Sequence, residues 1–257
     1  VIRIGTSGYS FDDWVGAFYP PGTRKGDMLG YYARQFDTVE VNSTYYRIPH
    51  PIVLRKMEEK TGEGFEFVIK ANQEMTHKAS RDPEIYRQFR EVLEPMKEAG
   101  KFSGVLFQFP WGFKNTAETR AHLAFLGDAF PEEPLFVEFR HDSWIQEEMF
   151  DFLRQKGLGY CSVDEPDLRG LVPPIARATT DSAYVRLHGR NAKNWWGRGG
   201  GDRYDYLYNS RELEEWVAKI RKLEKEAKKV YVFFNNCHAG QAAKNAQLMQ
   251  EMLRMEK

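Results

Sequence analysis

The chain has 257 residues, the usual length of one α/β barrel, and 42% hydrophobic content is enough for a large core. Lys+Arg (37) balances Asp+Glu (37), so global charge gives no footprint for nucleic acid, although a local basic groove stays open. No apolar run is long enough to span a bilayer, and only two cysteines, Cys161 and Cys237, occur, far apart. A cytoplasmic protein with free thiols is the expectation, without a disulfide framework or a CxxC zinc pattern.

The first residues, Val1-Ile2-Arg3-Ile4-Gly5, read as a strand, not as a signal peptide. Further strands are expected near 38–42, 65–70, 104–109, 135–140, 159–164, 183–188 and 230–235. Between them lie apolar residues at helical spacing: Met28, Leu29, Tyr32 and Phe36, then Ile85, Phe89, Val92 and Met96, then Leu213, Trp216, Val217 and Ile220, and finally Ala242, Ala246, Met249 and Leu253. About eight strand–helix units in this length point to a TIM-type (β/α)8 barrel forming a single domain over 1–257. A doubly wound open sheet is the competing architecture, but Gly5-Thr6-Ser7-Gly8 lacks the G-x-G-x-x-G spacing. The long connections, 6–27, 71–83, 110–117 and 189–210, all follow strands, on the face where barrel enzymes keep their sites.

Side-chain alternation sorts the strand residues. Glu40 and Asn42 share one face of strand 2, Phe136, Glu138 and Arg140 one face of strand 5, Ser162 and Asp164 one face of strand 6, and Arg186 and His188 one face of strand 7. With Lys70, Gln108 and Asn235 at other strand ends, they compose a polar pocket at the C-terminal mouth. The bland alternative is mutual neutralisation, Glu40 with Lys70 and Glu138 or Asp164 with Arg140 or Arg186, because buried charge is costly unless paired. Lys70, Arg140, Arg186 and His188 all lie on odd strands, and cations gathered in one layer favour an anionic group between them. Glu40, Glu138, Asp164 and His188 come from different strands and could hold a divalent metal, but no H-E-x-x-H signature supports it.

Tyr45 and Tyr46 follow strand 2, and the stretch "GRNAKNWWGRGGGDRYDY" interleaves Arg190, Lys193, Arg198 and Arg203 with Trp195, Trp196, Tyr204 and Tyr206. Cations among aromatics can grip phosphate and stack on rings, and Gly199-Gly200-Gly201 suits a lid. A surface excursion with two tucked tryptophans is the plainer reading. His77 and His141 follow strands 3 and 5 and could orient loops or move protons. His238 lies at the expected start of the last helix, where free N–H groups could take an anion. His50 and His122 look peripheral.

Several segments together are similar to the YecE-like family of proteins carrying a domain of unknown function. They are "IGTSGYSFDDWVGAFYP" (4–20), "FDTVEVNSTYYRIP" (36–49), "FEFVIKANQEMTH" (65–77), "GVLFQFPWGF" (104–113), "VEFRHDSW" (137–144), "SVDEP" (162–166), "YVRLHGR" (184–190) and "VYVFFNN" (230–236). The resemblance covers essentially the whole chain and implies a TIM-barrel-like fold without an established activity. Divalent-metal or nucleic-acid roles follow only by analogy with other barrels. After "FNN" the chain departs from the expected Asp-like residue with Cys237.

The expected function is therefore an enzyme acting on a small anionic or phosphorylated substrate, possible nucleic acid included, with phosphoester hydrolysis named first. Lys70, Arg140 and Arg186 would hold the anion, Glu138 or Asp164 would act as base, His188 would shuttle a proton, and Glu40 and Asn42 would orient substrate. Tyr45, Tyr46, Gln108, Asn235, Trp195 and Trp196 complete the binding set. The alternatives are a sugar or sugar-acid isomerase or lyase using Lys70 with a carboxylate, and a non-catalytic nucleic-acid or ligand binder.

Overall fold

Eight short segments rich in Val, Ile, Phe and Tyr form strands: β1 (Ile2–Thr6), β2 (Thr38–Val41), β3 (Glu66–Lys70), β4 (Phe102–Gln108), β5 (Leu135–Glu138), β6 (Leu158–Asp164), β7 (Ser182–Leu187) and β8 (Lys229–Phe234). In the computed structural model, which describes residues 1–197 and 202–255, they pair in parallel in the order β1-β8-β7-β6-β5-β4-β3-β2. Each residue range lies within two residues of its expected position. The result is a TIM-type α/β barrel.

The helices among the described residues are α1 (Lys25–Tyr32), α2 (Ser43–Tyr46), α3 (Pro51–Glu58), α4 (Gln73–Thr76), α5 (Pro83–Glu98), α6 (Ala117–Ala129), α7 (Glu147–Gln155), α8 (Ser210–Glu226) and α9 (Gln241–Met255). Their starts are chemically marked. Asp82 caps α5 from in front of Pro83, and Thr116 and Asn209 form capping boxes at α6 and α8. One expectation fails here. The β6–β7 connection, 165–181, contains no helix, so the alternation of strand and helix breaks once. Its Pro166, Pro173 and Pro174 deny the backbone donors a helix needs.

The barrel closes between β1 and β2 by an unusual join. No ladder runs there; the strands meet at the isolated bridge Ser7–Glu40, with the Gly8 N–H donating to Glu40 O at 2.8 Å. Below it the buried Tyr32 hydroxyl of α1 stands in for a strand partner. It accepts from the Thr6 N–H at 2.8 Å and donates to Thr38 O at 3.1 Å. The two backbones approach so closely that a Cβ on Gly5 would lie 2.2 Å from Thr38 O, which explains the glycine.

The barrel interior is layered. At the N-terminal end, Glu66 takes Lys229 at 2.7 Å, Arg3 at 3.4 Å and the Ser103 hydroxyl at 3.1 Å, and Arg3 also pairs with Asp37. The middle layer is aromatic: the Phe136 ring lies 4.6 Å from Tyr184, which lies 5.2 Å from Phe233. Phe136 fits because its neighbours on β4 and β6 are Gly104 and Gly159, where a Cβ would come within 2.7 and 2.6 Å of its ring. Above this floor lies the charged layer that forms the base of the mouth.

Candidate functional site

Arg186 of β7 is the centre of the charged layer. Its guanidinium reaches Glu40 of β2 at 2.7 Å and Glu138 of β5 at 2.6 Å, with all three side chains fully buried. Tyr184 donates to the other Glu40 oxygen at 2.7 Å. Glu138 also takes Arg140 at 2.6 Å and lies 3.1 Å from His188 Nε2. Burial pushes the Glu138 carboxyl upward, but Arg186, Arg140 and His188 together hold it well below the usual carboxylate range. Burial and the nearby Arg140 lower His188 to about 3, so its imidazole is neutral; Nδ1 meets the Asn235 amide at 3.0 Å.

Arg140 links this layer to the solvent side. It pairs with Glu165 at 3.2 Å, and Glu165 also accepts the Val172 N–H at 3.0 Å, tying the helix-free 165–181 segment to the mouth. Burial raises Glu165 to about 7 despite Arg140. Among the described residues, no hydrogen bond or ion pair uses Arg140 Nη2.

Above the layer opens a cavity of about 360 Å3. Among the described residues its cationic lining is Lys70, Arg140 and Arg203, and no carboxylate lines it. The rings are Tyr45, Tyr46, Trp111, Trp195, Trp196 and Tyr204, with His77, Asn42, Gln108, Asn235, Pro110 and Leu171 between them. Trp195 is buried with Arg140 and Arg203 each 5.8 Å from its ring, whereas Trp196 and Tyr46 are 56% and 75% exposed at the rim. Asn72 fixes the Tyr45 turn by donating to Thr44 O and Tyr45 O at 2.9 and 3.1 Å. Among the described residues, the buried Asn42 Oδ1 has no hydrogen-bond partner.

Lys70 has an unusual setting. Its ammonium donates to Gln108 Oε1 at 3.0 Å and lies 4.7 Å from the Tyr45 ring centre, and it forms no ion pair among the described residues. Burial, then the positive charge of Arg186, lowers it to about 7. His77, lowered by burial to about 4, is neutral beside it.

The structure therefore corrects several expectations. Glu40 pairs with Arg186 and Tyr184, not with Lys70. Asp164 is not in the mouth. It faces the outer layer, where it takes Trp216 Nε1 at 2.6 Å, Tyr208 at 2.7 Å and Arg190 at 2.8 Å. Ser162 faces outward with it, accepting the Arg177 N–H at 3.2 Å, while Cys161 points toward Glu138. Every residue of β6 is buried, so polarity alone could not tell its two faces apart. The metal set of Glu40, Glu138, Asp164 and His188 is thereby divided, and among the described residues no group of three or more His, Cys, Asp or Glu is placed to hold an ion. At the start of the last helix, the Ala239 N–H is taken by Asp13 at 2.7 Å. His122 is buried with Nε2 on Met75 O at 2.9 Å, not peripheral. Arg198 and Gly199-Gly200-Gly201 lie outside the described residues.

Sequence reading missed Glu165, Tyr184 and Ser7. Glu165 stands one residue past a strand end, and its only signal is its place in "SVDEP". Tyr184 shares the parity of Arg186 and was recoverable from it.

Fold and site together define an α/β barrel with a cation-lined, aromatic mouth over a paired charged layer. The chain belongs to the family described as "Protein of unknown function DUF72", which matches residues 3–257. The UPF0759 protein YunF of Bacillus subtilis is 34% identical over all of this chain and 96% of its own length. The UPF0759 protein YecE of Escherichia coli K12 is 30% identical over 56% of this chain. Among solved structures, a DUF72 family protein of Thermotoga maritima superposes with a TM-score of 0.92 at 41% identity, covering 99% of both chains. One from Enterococcus faecalis superposes at 0.88 and 30% identity over 99% of this chain and 96% of its own. No helix among the described residues is long and apolar enough to cross a membrane.

Proposed function

We propose that the barrel mouth is the active site of an enzyme acting on a small anionic compound that carries a ring, with Lys70 as the reactive amine. One observation carries this reading: among the described residues, the cavity is lined by three cations and six aromatic rings and by no carboxylate. Charge of one sign in a concave, partly desolvated site attracts the opposite sign, and flat rings stack on flat rings.

The choice of Lys70 moves the chemistry away from phosphoester hydrolysis. Asp164 lies elsewhere, Glu138 is ion-paired with Arg186 and Arg140, and His188 is buried against Glu138 and Asn235. Lys70, lowered to about 7, can give and take a proton near neutrality. This favours isomerase or lyase chemistry on an anionic substrate.

The test is a tryptophan-fluorescence titration with phenyl phosphate and inorganic phosphate. Phenyl phosphate should bind more tightly, and Arg203→Ala should weaken it by roughly tenfold, the worth of one charge-assisted hydrogen bond. No response to either anion, or equal affinity in wild type, Arg203→Ala and Lys70→Met, overturns the reading. A nucleic-acid binder would instead prefer single-stranded DNA over phenyl phosphate, with affinity falling steeply as salt rises.

A further inference from the structure

Resting on that reading of the mouth, we propose that Lys70 bonds covalently to its ligand: the amine condenses with the carbonyl of an anionic keto acid or aldehyde to give an imine at the floor of the cavity.

The geometry around Nζ carries this. Nucleophilic lysines need an unpaired amine, room for a carbonyl carbon, and a counter-charge for the rest of the substrate. Lys70 Nζ has Gln108 Oε1 as its hydrogen-bond partner and no ion-paired carboxylate among the described residues. The Gln108 amide is oriented by its own Nε2, which donates to Phe109 O at 2.7 Å. The oxygen end therefore faces Lys70 and orients the amine without offering it a base. Tyr45 covers the amine on one side, and the cavity of about 360 Å3 opens on another. Arg140, with Nη2 unused, and Arg203 line the same cavity and can hold a carboxylate or phosphate. The position of Lys70 on β3 keeps the amine in a fixed place on a rigid element. Its low affinity for a proton leaves much of it neutral near pH 7.

The step balances without an oxidant or reductant. The neutral amine attacks the carbonyl carbon, forming the C–N bond while the π pair moves to oxygen, which takes up a proton. The nitrogen loses one proton to give the carbinolamine; its hydroxyl takes up a second proton and leaves as water while the nitrogen lone pair forms C=N, and loss of the remaining N–H proton gives the imine. Water reverses the sequence. The imine, once protonated, draws electrons from the adjacent carbon, which is the activation an isomerase or lyase requires. His77, Tyr45 and Tyr204 line the cavity and can relay the protons.

The experiment uses the full chain with phenylpyruvate, or pyruvate, plus cyanoborohydride, read by intact mass and peptide mapping. One adduct is expected, on Lys70, with phenylpyruvate trapping about fivefold more than pyruvate at equal concentration through ring stacking. Phenyl phosphate should suppress it. Lys228→Met, which alters an exposed lysine of the ion pair with Asp181, should leave the adduct in place, and Lys70→Met should abolish it. Suppression by phenyl phosphate in the wild type keeps the test decisive if Lys70→Met misfolds. Phenyl phosphate binding with no adduct on Lys70, or with label spread over surface lysines, overturns the imine and leaves the mouth as a non-covalent site. Absence of both adduct and binding overturns the imine and the underlying reading together.

Discussion

Arg186 is fully buried between two carboxylates, and the interior gives it no alternative partner of equal charge. Arg186→Met leaves Glu40 and Glu138 facing each other in a dry layer. We expect a loss of about 3–5 kcal/mol in denaturant unfolding. Adding Glu40→Gln and Glu138→Gln should restore a large part of it, and a triple variant no better than the single would contradict the pairing. Lys70 works in the opposite sense. Its pKa falls from an ordinary 10.5 to about 7 in the fold. Between those values the unfolded chain keeps a proton that the native chain releases, so stability from this group rises with pH and is lost as pH falls toward 7. Lys70→Met should therefore raise Tm most below pH 7, and its advantage should vanish near pH 10.5. An advantage independent of pH would mean that Lys70 is not buried as a charge.

At the scale of elements, the sequence marks strands and their ends well because period-2 alternation and capping residues are local. Glu138 and Arg186 were placed inside the barrel by that alternation, and Asn72, Asp82 and Asn209 cap helices as their residue types dictate. Partner choice was not legible. Which carboxylate meets Lys70 or Arg186 depends on stagger between strands far apart in the chain, and β6, buried on both faces, offers no polarity to orient Asp164. The 165–181 segment is not legible in the sequence, because a crossover without a helix has no periodicity to read. Asp164, Trp216, Tyr208 and Arg190 together anchor the base of the 189–210 stretch. Asp164→Asn cannot satisfy Trp216, Tyr208 and Arg190 alike. It should weaken phenyl phosphate binding through Trp195 and Arg203 while leaving the far-ultraviolet circular dichroism unchanged. Unchanged affinity would separate this anchor from the mouth.

For the whole molecule, a net charge of zero conceals the cations of the mouth, where Lys70, Arg140 and Arg203 line the cavity and, among the described residues, no carboxylate does. Composition could not reveal this; only the folded distribution does. Lys70 in the cavity and Glu165, paired with the lining Arg140, are both shifted to near neutrality. As pH falls through about 7, Lys70 gains a positive charge and Glu165 loses a negative one. His77 and His188, at about 4 and 3, stay neutral in that range. Sulfate, which does not titrate there, should bind more tightly at pH 6 than at pH 8, as calorimetry would show. Tighter binding at the higher pH would invert the assigned electrostatics.

The β1–β2 join has a consequence for how the barrel comes apart. Seven joins are zipped by backbone ladders, and this one is buttoned by the Tyr32 hydroxyl and a single bridge. A cylinder with one weak line has a preferred way to unroll. Tyr32→Phe, which orphans the Thr6 N–H, should cost about 1–3 kcal/mol and speed amide exchange first at Thr6 and Gly8, before the β7–β8 ladder. Glu40 stands at that line and Lys70 on the next strand, so opening at the seam should also loosen the floor of the mouth. One edge of the mouth and the fault line of the fold then coincide.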